Sequence, residues 1–191
     1  MTHGPKPRVT LKLATSLDGK IALANGQSKW ITGPESRAEV HKMRAAHQAI
    51  LTGIGTILAD DPEYTARTDP PVERQPDLIV LDRQGRMPMT AKVFAEPSRQ
   101  VVLRASPDIA AALHGYETVM IEAGAEIAAS ALKAGIVDRV EWFRAPIVLG
   151  GDGLGVFAGL GLESLELAPI FQRTGVIERG ADLQESYERV R

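Results

Sequence analysis

The sequence predicts an α/β fold with a central, mostly parallel mixed sheet, flanking helices and a C-terminal hairpin. Three observations carry that prediction. Short apolar runs alternate with helix-spaced segments along most of the chain, as layered α/β folds require. Each run is bounded by Gly, Pro, Asp or Arg and holds few polar residues, the pattern of strands covered on both faces. The tail FQRTGVIERGADLQESYERV reads as two strands turning about Gly180, which adds antiparallel pairing to the parallel set.

The elements follow in order. Val9, Leu11 and Leu13 alternate with Thr10, Lys12 and Ala14, a strand ended by the turn formers Ser16, Asp18 and Gly19. Its period of two puts Lys12 and Ala14 on one face. Thr32-Gly33-Pro34-Glu35 matches the capping box S/T-x-x-E, and Val40, Met43 and Ala46 continue at helical spacing, which places Arg44 on a helix flank. Buried strands are expected at Ala49 to Thr52, Leu78 to Leu81, Val101 to Leu103 and Val119 to Ile121. Their C-terminal ends are Gly53, Asp82-Arg83, Arg104 and Glu122. Ala123 to Ala134 is an alanine-rich helix with Lys133 in its last turn and Gly135 just past it. RVEWFRAPIVLGGDGLG gives a strand, a proline-limited extension and a glycine-rich loop, and Thr68 to Gln75 an exposed loop. No repeat or linker interrupts the series, so residues 1–191 read as one domain with its core over 8–188.

Composition narrows the function. With 191 residues, 44% hydrophobic and 24% charged, and a net charge of -2, the chain has a core-forming composition and no electrostatic footprint for nucleic acid or anionic membrane. The absence of cysteine excludes disulfides, thiolate metal sites and cysteine nucleophiles. MTHGPKPR lacks the apolar core of a signal peptide, and no apolar run approaches the ~20 residues of a spanning helix, so a cytoplasmic protein is expected. His3, His41, His47 and His114 fit no H-x-x-x-H spacing, and neither a P-loop nor a G-x-S-x-G elbow is present, so no metal is expected. His41 and His47 read as surface or core-edge groups.

Two stretches carry candidate chemistry. Glu122-Ala123-Gly124-Ala125 joins a buried strand to a helix through small residues, which exposes backbone N–H groups at the positive end of the helix dipole. It is either an anion site or simply tight packing. GIGTILADDPEYTAR, from Gly53 to Arg67, reads as a glycine-marked turn and loop that starts like G-x-G-x-x-G but has Leu58 where the third glycine would stand. Asp60-Asp61-Pro62 within it is turn chemistry or a functional carboxylate, and Arg44 and Arg67 are either phosphate partners or solvated surface groups.

Together these segments carry a resemblance. KLATSLDGKIA from Lys12, the Ser28-Lys29-Trp30-Ile31-Thr32-Gly33 turn, Ser36-Arg37, Arg44, LADDP, Arg67, IVLDR, IEAG, AGIVD and the P-x-x-L-G-G of Pro146 to Gly151 occur in order over residues 8–188. The set resembles the reductase domain of bacterial riboflavin-biosynthesis deaminase/reductases, which is dihydrofolate-reductase-like in fold. The resemblance implies NADPH-dependent reduction of the ribosyl group of 5-amino-6-(5-phosphoribosylamino)uracil to a ribityl chain. It implies Lys12 and Glu122 as catalytic residues, Lys12 either moving a proton or polarising an oxygen, or else only pairing with Glu122. It places NADPH against Ala14, Trp30, Thr56, Asp60, Gly124, Ala125, Glu126 and Ile127; apart from the resemblance, Arg83 just after IVLD is a candidate for the cofactor's 2′-phosphate or pyrophosphate, with Arg104 second. Ser28, Arg44, Tyr64, Arg67 and Glu122 would face the phosphorylated pyrimidine substrate, and Asp61 with Pro62 would shape the turn. The family's deaminase domain carries H-x-E and P-C-x-x-C zinc ligands, absent here, so neither deaminase activity nor zinc is expected. A homodimer is expected, with Ile147 to Leu162 as interface. Another carbonyl, imine or pterin-like substrate, or a non-catalytic nucleotide-binding role, remain the alternatives.

Overall fold

The computed structural model describes residues 6–190, so His3 and the first residues of the N-terminal segment read above lie outside the described residues. The elements run β1 (Arg8–Thr15), β2 (Lys20–Ala22), α1 (Pro34–Ala45), β3 (Ala49–Gly53), α2 (Ile54–Asp60), β4 (Asp77–Leu81), β5 (Val101–Arg104), α3 (Ile109–Ala112), β6 (Thr118–Ile121), α4 (Ala125–Lys133), β7 (Arg139–Arg144), β8 (Leu154–Gly155), β9 (Phe171–Arg179) and β10 (Asp182–Arg189). The main sheet has the order β5-β4-β3-β6-β1-β7-β10-β9. Pairing from β5 to β7 is parallel, and β10 joins both β7 and β9 antiparallel, as the terminal hairpin predicts.

Burial explains the apolar runs of β3, β4 and β6, whereas the run expected as a buried strand at Val101 to Leu103 forms the edge strand β5, half-buried with Leu103 exposed. Leu51, Ile79 and Ile121 enter one core cluster with α3 and α4 residues, while their neighbours Ile50, Val80 and Met120 enter a second with Ile54 and Ile57 of α2. Successive side chains of a strand point to opposite faces, so a sheet covered on both sides takes apolar residues at every position. The same sheet sets the site. From β3 the chain passes through α2 to β4 on one side, and from β6 through α4 to β7 on the other. The two helices diverge at the C-terminal ends of adjacent β3 and β6, the switch point at which open α/β sheets hold ligands.

Three local expectations need correction, and one element, α3, is not among those expected. Gly53 to Asp60 is not a turn or loop: α2 begins directly after β3, because Ile54 and Ile57, three apart, both bury against the second cluster. Asp61 then ends α2 in the left-handed region at φ 42°, and its carboxylate accepts from the Lys92 N–H at 2.9 Å. Thr32 does not cap α1. Gly33 is the N-cap residue, and Asp182 of β10 accepts from the Gly33 N–H at 2.7 Å and from the Ser36 hydroxyl at 2.6 Å, so a long-range carboxylate replaces the local hydroxyl. The helix expected from Ala123 starts at Ala125, because Gly124 is extended, at φ -75° and ψ 177°. The short α3 escaped notice although Asp108 caps it, accepting from Ala110 N–H at 2.9 Å and Ala111 N–H at 3.1 Å.

Candidate active site

Register brings the first two residues of the site together. Leu11 of β1 pairs with Ile121 of β6, so Lys12 and Glu122, one residue further along each strand, lie side by side at the sheet's open end. Lys12 Nζ is 3.3 Å from Glu122 Oε1. The last turn of α1 supplies Arg44, whose Nε donates to Oε2 at 3.0 Å and Nη2 to Oε1 at 2.9 Å, a two-pronged pair. The side chains of Lys12, Arg44 and Glu122 are 14%, 13% and 15% exposed, nearly withdrawn from water yet reachable. Burial alone would raise the Glu122 pKa, but the charges of Arg44 and Lys12 and their hydrogen bonds overcome it and hold the carboxyl down at about 2. Glu122 is therefore an anion throughout the physiological range. The same attraction raises Arg44 above its ordinary value despite desolvation.

Tyr64 supports this group from beneath. Expected to face a substrate, it is 4% exposed and belongs to the core cluster on the α2 side, a correction to the sequence reading. Its hydroxyl lies 2.7 Å from Thr52 Oγ1 and donates to the Glu122 carbonyl at 3.0 Å, and Arg44 lies over its ring at 5.5 Å. Burial pushes the phenol's pKa upward. The segment carrying Tyr64 is clamped by buried Arg99, which donates to the carbonyls of Glu63, Tyr64 and Val93. No motif marked Arg99; its sole signal was a cation just before an apolar strand.

Around this centre the remaining candidates divide. Ala14 is half-buried on the Lys12 face. Arg67 stands at the mouth with its side chain 62% exposed, donating to Glu63 at 2.9 Å. Ser28 is half-buried, and its carbonyl accepts from the Ile31 N–H at 3.1 Å. Trp30, 71% exposed, is stacked by Arg37 at 4.5 Å, while neighbouring Lys29 reaches Asp60 at 3.8 Å. That contact links the 28–33 turn to the end of α2. Thr56 lies half-exposed in the first turn of α2. Arg83 and Arg104 follow β4 and end β5; β6 lies two strands beyond β4, about 10 Å away, so Arg83 stands apart from the Lys12–Glu122–Arg44 group and Arg104 farther still.

Opposite α2, Gly124 is the N-cap residue of α4 and makes no side-chain cap. A Cβ there would meet nothing within 4 Å, so a phosphate can approach the N–H groups of Ala125, Glu126 and Ile127. Gly53 plays a different part, since a Cβ on it would collide with Ile127 Cδ1. The missing side chain lets α4 dock against the end of β3, so the first glycine of G-I-G serves helix packing. Another motif resolves likewise. Asp18 accepts from Ser16 Oγ at 2.6 Å, Leu149 N–H at 3.1 Å and Gly150 N–H at 2.8 Å, which ties the S-L-D-G turn to the L-G-G loop and lowers the Asp18 pKa to about 2. Among the described residues no group of three or more His, Asp or Glu side chains is arranged to hold a metal, and no helix is long and apolar enough to cross a membrane. An apolar groove of about 530 Å³ lies at the other end of α4, lined by Leu132, Leu160, Leu167 and Ile170, and holds none of the candidate residues.

With this geometry in place, comparison decides the family. Residues 7–182 match the family profile described as the RibD C-terminal domain. The chain belongs to that family. It is 37% identical over 180 residues to the riboflavin biosynthesis protein RibD of Mycobacterium tuberculosis (strain CDC 1551 / Oshkosh), covering 93% of this chain and 53% of that protein. Among solved structures it superposes on RibD from Acinetobacter baumannii, form 1, with a TM-score of 0.89 and 31% identity, covering 97% of this chain and 59% of the other. Dihydrofolate reductase from Enterococcus faecalis, complexed with NADP(H), shares the fold at a TM-score of 0.64 and 16% identity, covering 96% of this chain and 97% of that one. The chain thus spans a little over half the length of its RibD relatives, and its fold is dihydrofolate-reductase-like.

Proposed function

We propose that this chain is a single-domain, NADPH-dependent reductase that converts the ribosyl group of 5-amino-6-(5-phosphoribosylamino)uracil to the ribityl form. The observation that carries the reading is the Lys12–Glu122–Arg44 group at the switch point, facing the uncapped start of α4. Bound NADPH would supply a hydride. The residues present fit it: Gly124 leaves room for a diphosphate beside the Ala125, Glu126 and Ile127 amides, Thr56 and Asp60 offer hydrogen-bond partners across the crevice, Trp30 offers a stacking face, and Ala14 leaves space on the sheet face. Arg83 is the candidate for the outermost phosphate.

The ring-opened sugar presents a C1=N bond that gains hydride at carbon and a proton at nitrogen. Lys12 is placed to provide that proton, or to hold the bond polarised, since only one of its three N–H groups is used by Glu122. Glu122, ionised down to about pH 2, does not serve as the acid; it holds the Lys12 ammonium in place through the 3.3 Å contact. Arg44 spends three of its five N–H groups on Glu122 and the Thr65 carbonyl, so it braces the site first and faces substrate second. Arg67, exposed at the mouth, then becomes the main partner for the substrate phosphate, with Ser28 beside the sugar. The protein is further proposed to be a cytoplasmic homodimer joined through Ile147 to Leu162, where Val148, Leu154 and Leu162 are exposed; sedimentation before and after Val148→Asp tests this.

The test of activity is oxidation of NADPH, followed at the nicotinamide absorbance band, with the phosphoribosylaminouracil as substrate. Turnover in the wild type, lost in Lys12→Met, is expected. Absence of oxidation by a protein that binds NADPH would redirect the search to other carbonyl or imine substrates.

A further inference from the structure

His41 is a half-buried imidazole on α1, one turn before Arg44, and its ring is used at both nitrogens. Nε2 lies 3.1 Å from Arg67 Nη2. A guanidinium has no acceptor, so Nε2 must be the acceptor and carry no proton. Of the two neutral tautomers, Nδ1–H serves two of the three contacts, donating to the Thr65 carbonyl at 3.0 Å and accepting Arg67 Nη2 at Nε2, and leaves the Arg67 backbone N–H, aimed at Nδ1 from 3.2 Å, unaccepted; Nε2–H would serve only that last contact. Arg44 Nη1 donates to that Thr65 carbonyl at 3.0 Å, so one carbonyl links His41 to the ion group around Glu122.

We infer that His41, neutral and in its Nδ1–H tautomer, is a positioning residue that fixes the Arg67 guanidinium at the mouth of the site for an anionic, phosphate-bearing ligand. The inference rests on the proposed reductase reading for the identity of that ligand. An imidazolium would turn Nε2–H toward Arg67, exchanging an acceptor for a second cation and releasing the arginine into solvent. The charged groups acting on His41 are Arg44 on its own helix, Arg67 from the segment after α2, itself paired with Glu63, and Glu122 just beyond β6. Burial first, then Arg44 and Arg67, push its pKa below 6.5, against the smaller effects of the Thr65 hydrogen bond and Glu122. The ring is thus neutral at pH 7, and the positioning contact is lost as the pH falls through the lowered value.

Three single variants, one double variant and one spectroscopic reading test this. His41→Leu removes the acceptor and should raise KM for the phosphorylated substrate about tenfold with kcat within about twofold, the loss of one hydrogen bond to a charged group. His41→Gln, whose Oε1 stands near the place of Nε2, should restore KM and remove the acid-side rise in KM that belongs to this ring. Arg67→Leu, which removes the phosphate contact itself, should raise KM at least as much as His41→Leu, and adding His41→Leu to it should raise KM no further. Nitrogen NMR should show protonated Nδ1 and bare Nε2 at neutral pH. Unchanged KM in His41→Leu in an active enzyme, or an Nε2–H tautomer, overturns the inference and leaves the reductase reading standing. A wild type that binds NADPH but neither the substrate nor ribose 5-phosphate overturns both.

Discussion

Glu122 and Glu141 are both carboxylates taken from water and paired with arginine, and they sit two strands apart in the same sheet. Glu141 lies within β7, buried, with Arg139 on Oε1 and Gln184 and Ser186 of β10 donating to Oε2 at 2.8 Å and 2.9 Å. Its donors come from its own strand and the neighbouring antiparallel one. Glu122 lies just beyond β6 at the switch point, and its donors come from a separate strand and a helix. The Glu141 carboxylate is itself shut in, with its side chain 4% exposed and both oxygens occupied, whereas the Glu122 group leaves Lys12 with spare N–H groups at the open end of the sheet. A buried ion pair is therefore not by itself a functional sign; its place at the carboxyl end of the parallel strands makes it one.

The largest effect should separate the two in activity. Lys12→Met is expected to lower turnover about 10³-fold, within the range of a lost proton donor, with a small change in melting temperature. Glu122→Gln should fall on the same side, losing about 10²-fold in kcat as Lys12 loses its counter-ion. Glu141→Ala should do the reverse. Leaving Arg139 half-compensated beside Gln184 and Ser186 is expected to destabilise the fold by about 3 kcal/mol, seen as a shift in the urea midpoint, with turnover per folded molecule nearly unchanged.

Acid sharpens the same contrast. Because the Glu122 carboxyl is lowered from 4.5 to about 2 by folding, its contribution to stability is complete above the unfolded value and drains away as pH falls from about 5 toward 2. Urea midpoints measured over that window should fall more steeply in the wild type than in Glu122→Gln. The smallest expected effect concerns the crevice wall. Gly53→Ala forces Ile127 off its rotamer and should cost about 1–2 kcal/mol, recovered by adding Ile127→Val, whose shorter side chain lacks the colliding Cδ1.

These contrasts also explain what the sequence made legible. The strands, their ends, the Lys12–Ala14 face and the terminal hairpin are readable because period, turn residues and apolar runs are local signals. The capping of α1 is not, because Asp182 is 149 residues away from Gly33, and a local Thr-x-x-Glu pattern gives no warning of it. The Lys12–Glu122 contact is one of the readings the sequence offers, and the register of β1 with β6 provides it, whereas the pairing of Arg44 with Glu122 crosses 78 residues and has no local signal. Tyr64 read as substrate-facing because a motif records position along the chain, whereas burial depends on Arg99 clamping its backbone. GIGTILAD read as a turn because its glycines suggested one; the buried pair Ile54 and Ile57 gave the helix.

The most direct measurement uses NADPH deuterated at nicotinamide C4 with 5-amino-6-(5-phosphoribosylamino)uracil, analysing the product by mass spectrometry and NMR. The proposed function predicts one NADPH consumed per ribityl product and a single deuterium at C1 of the former sugar, with the yield collapsing in Lys12→Met and surviving in folded Glu141→Ala. NADPH bound but not oxidised, or deuterium found at another carbon, would contradict it.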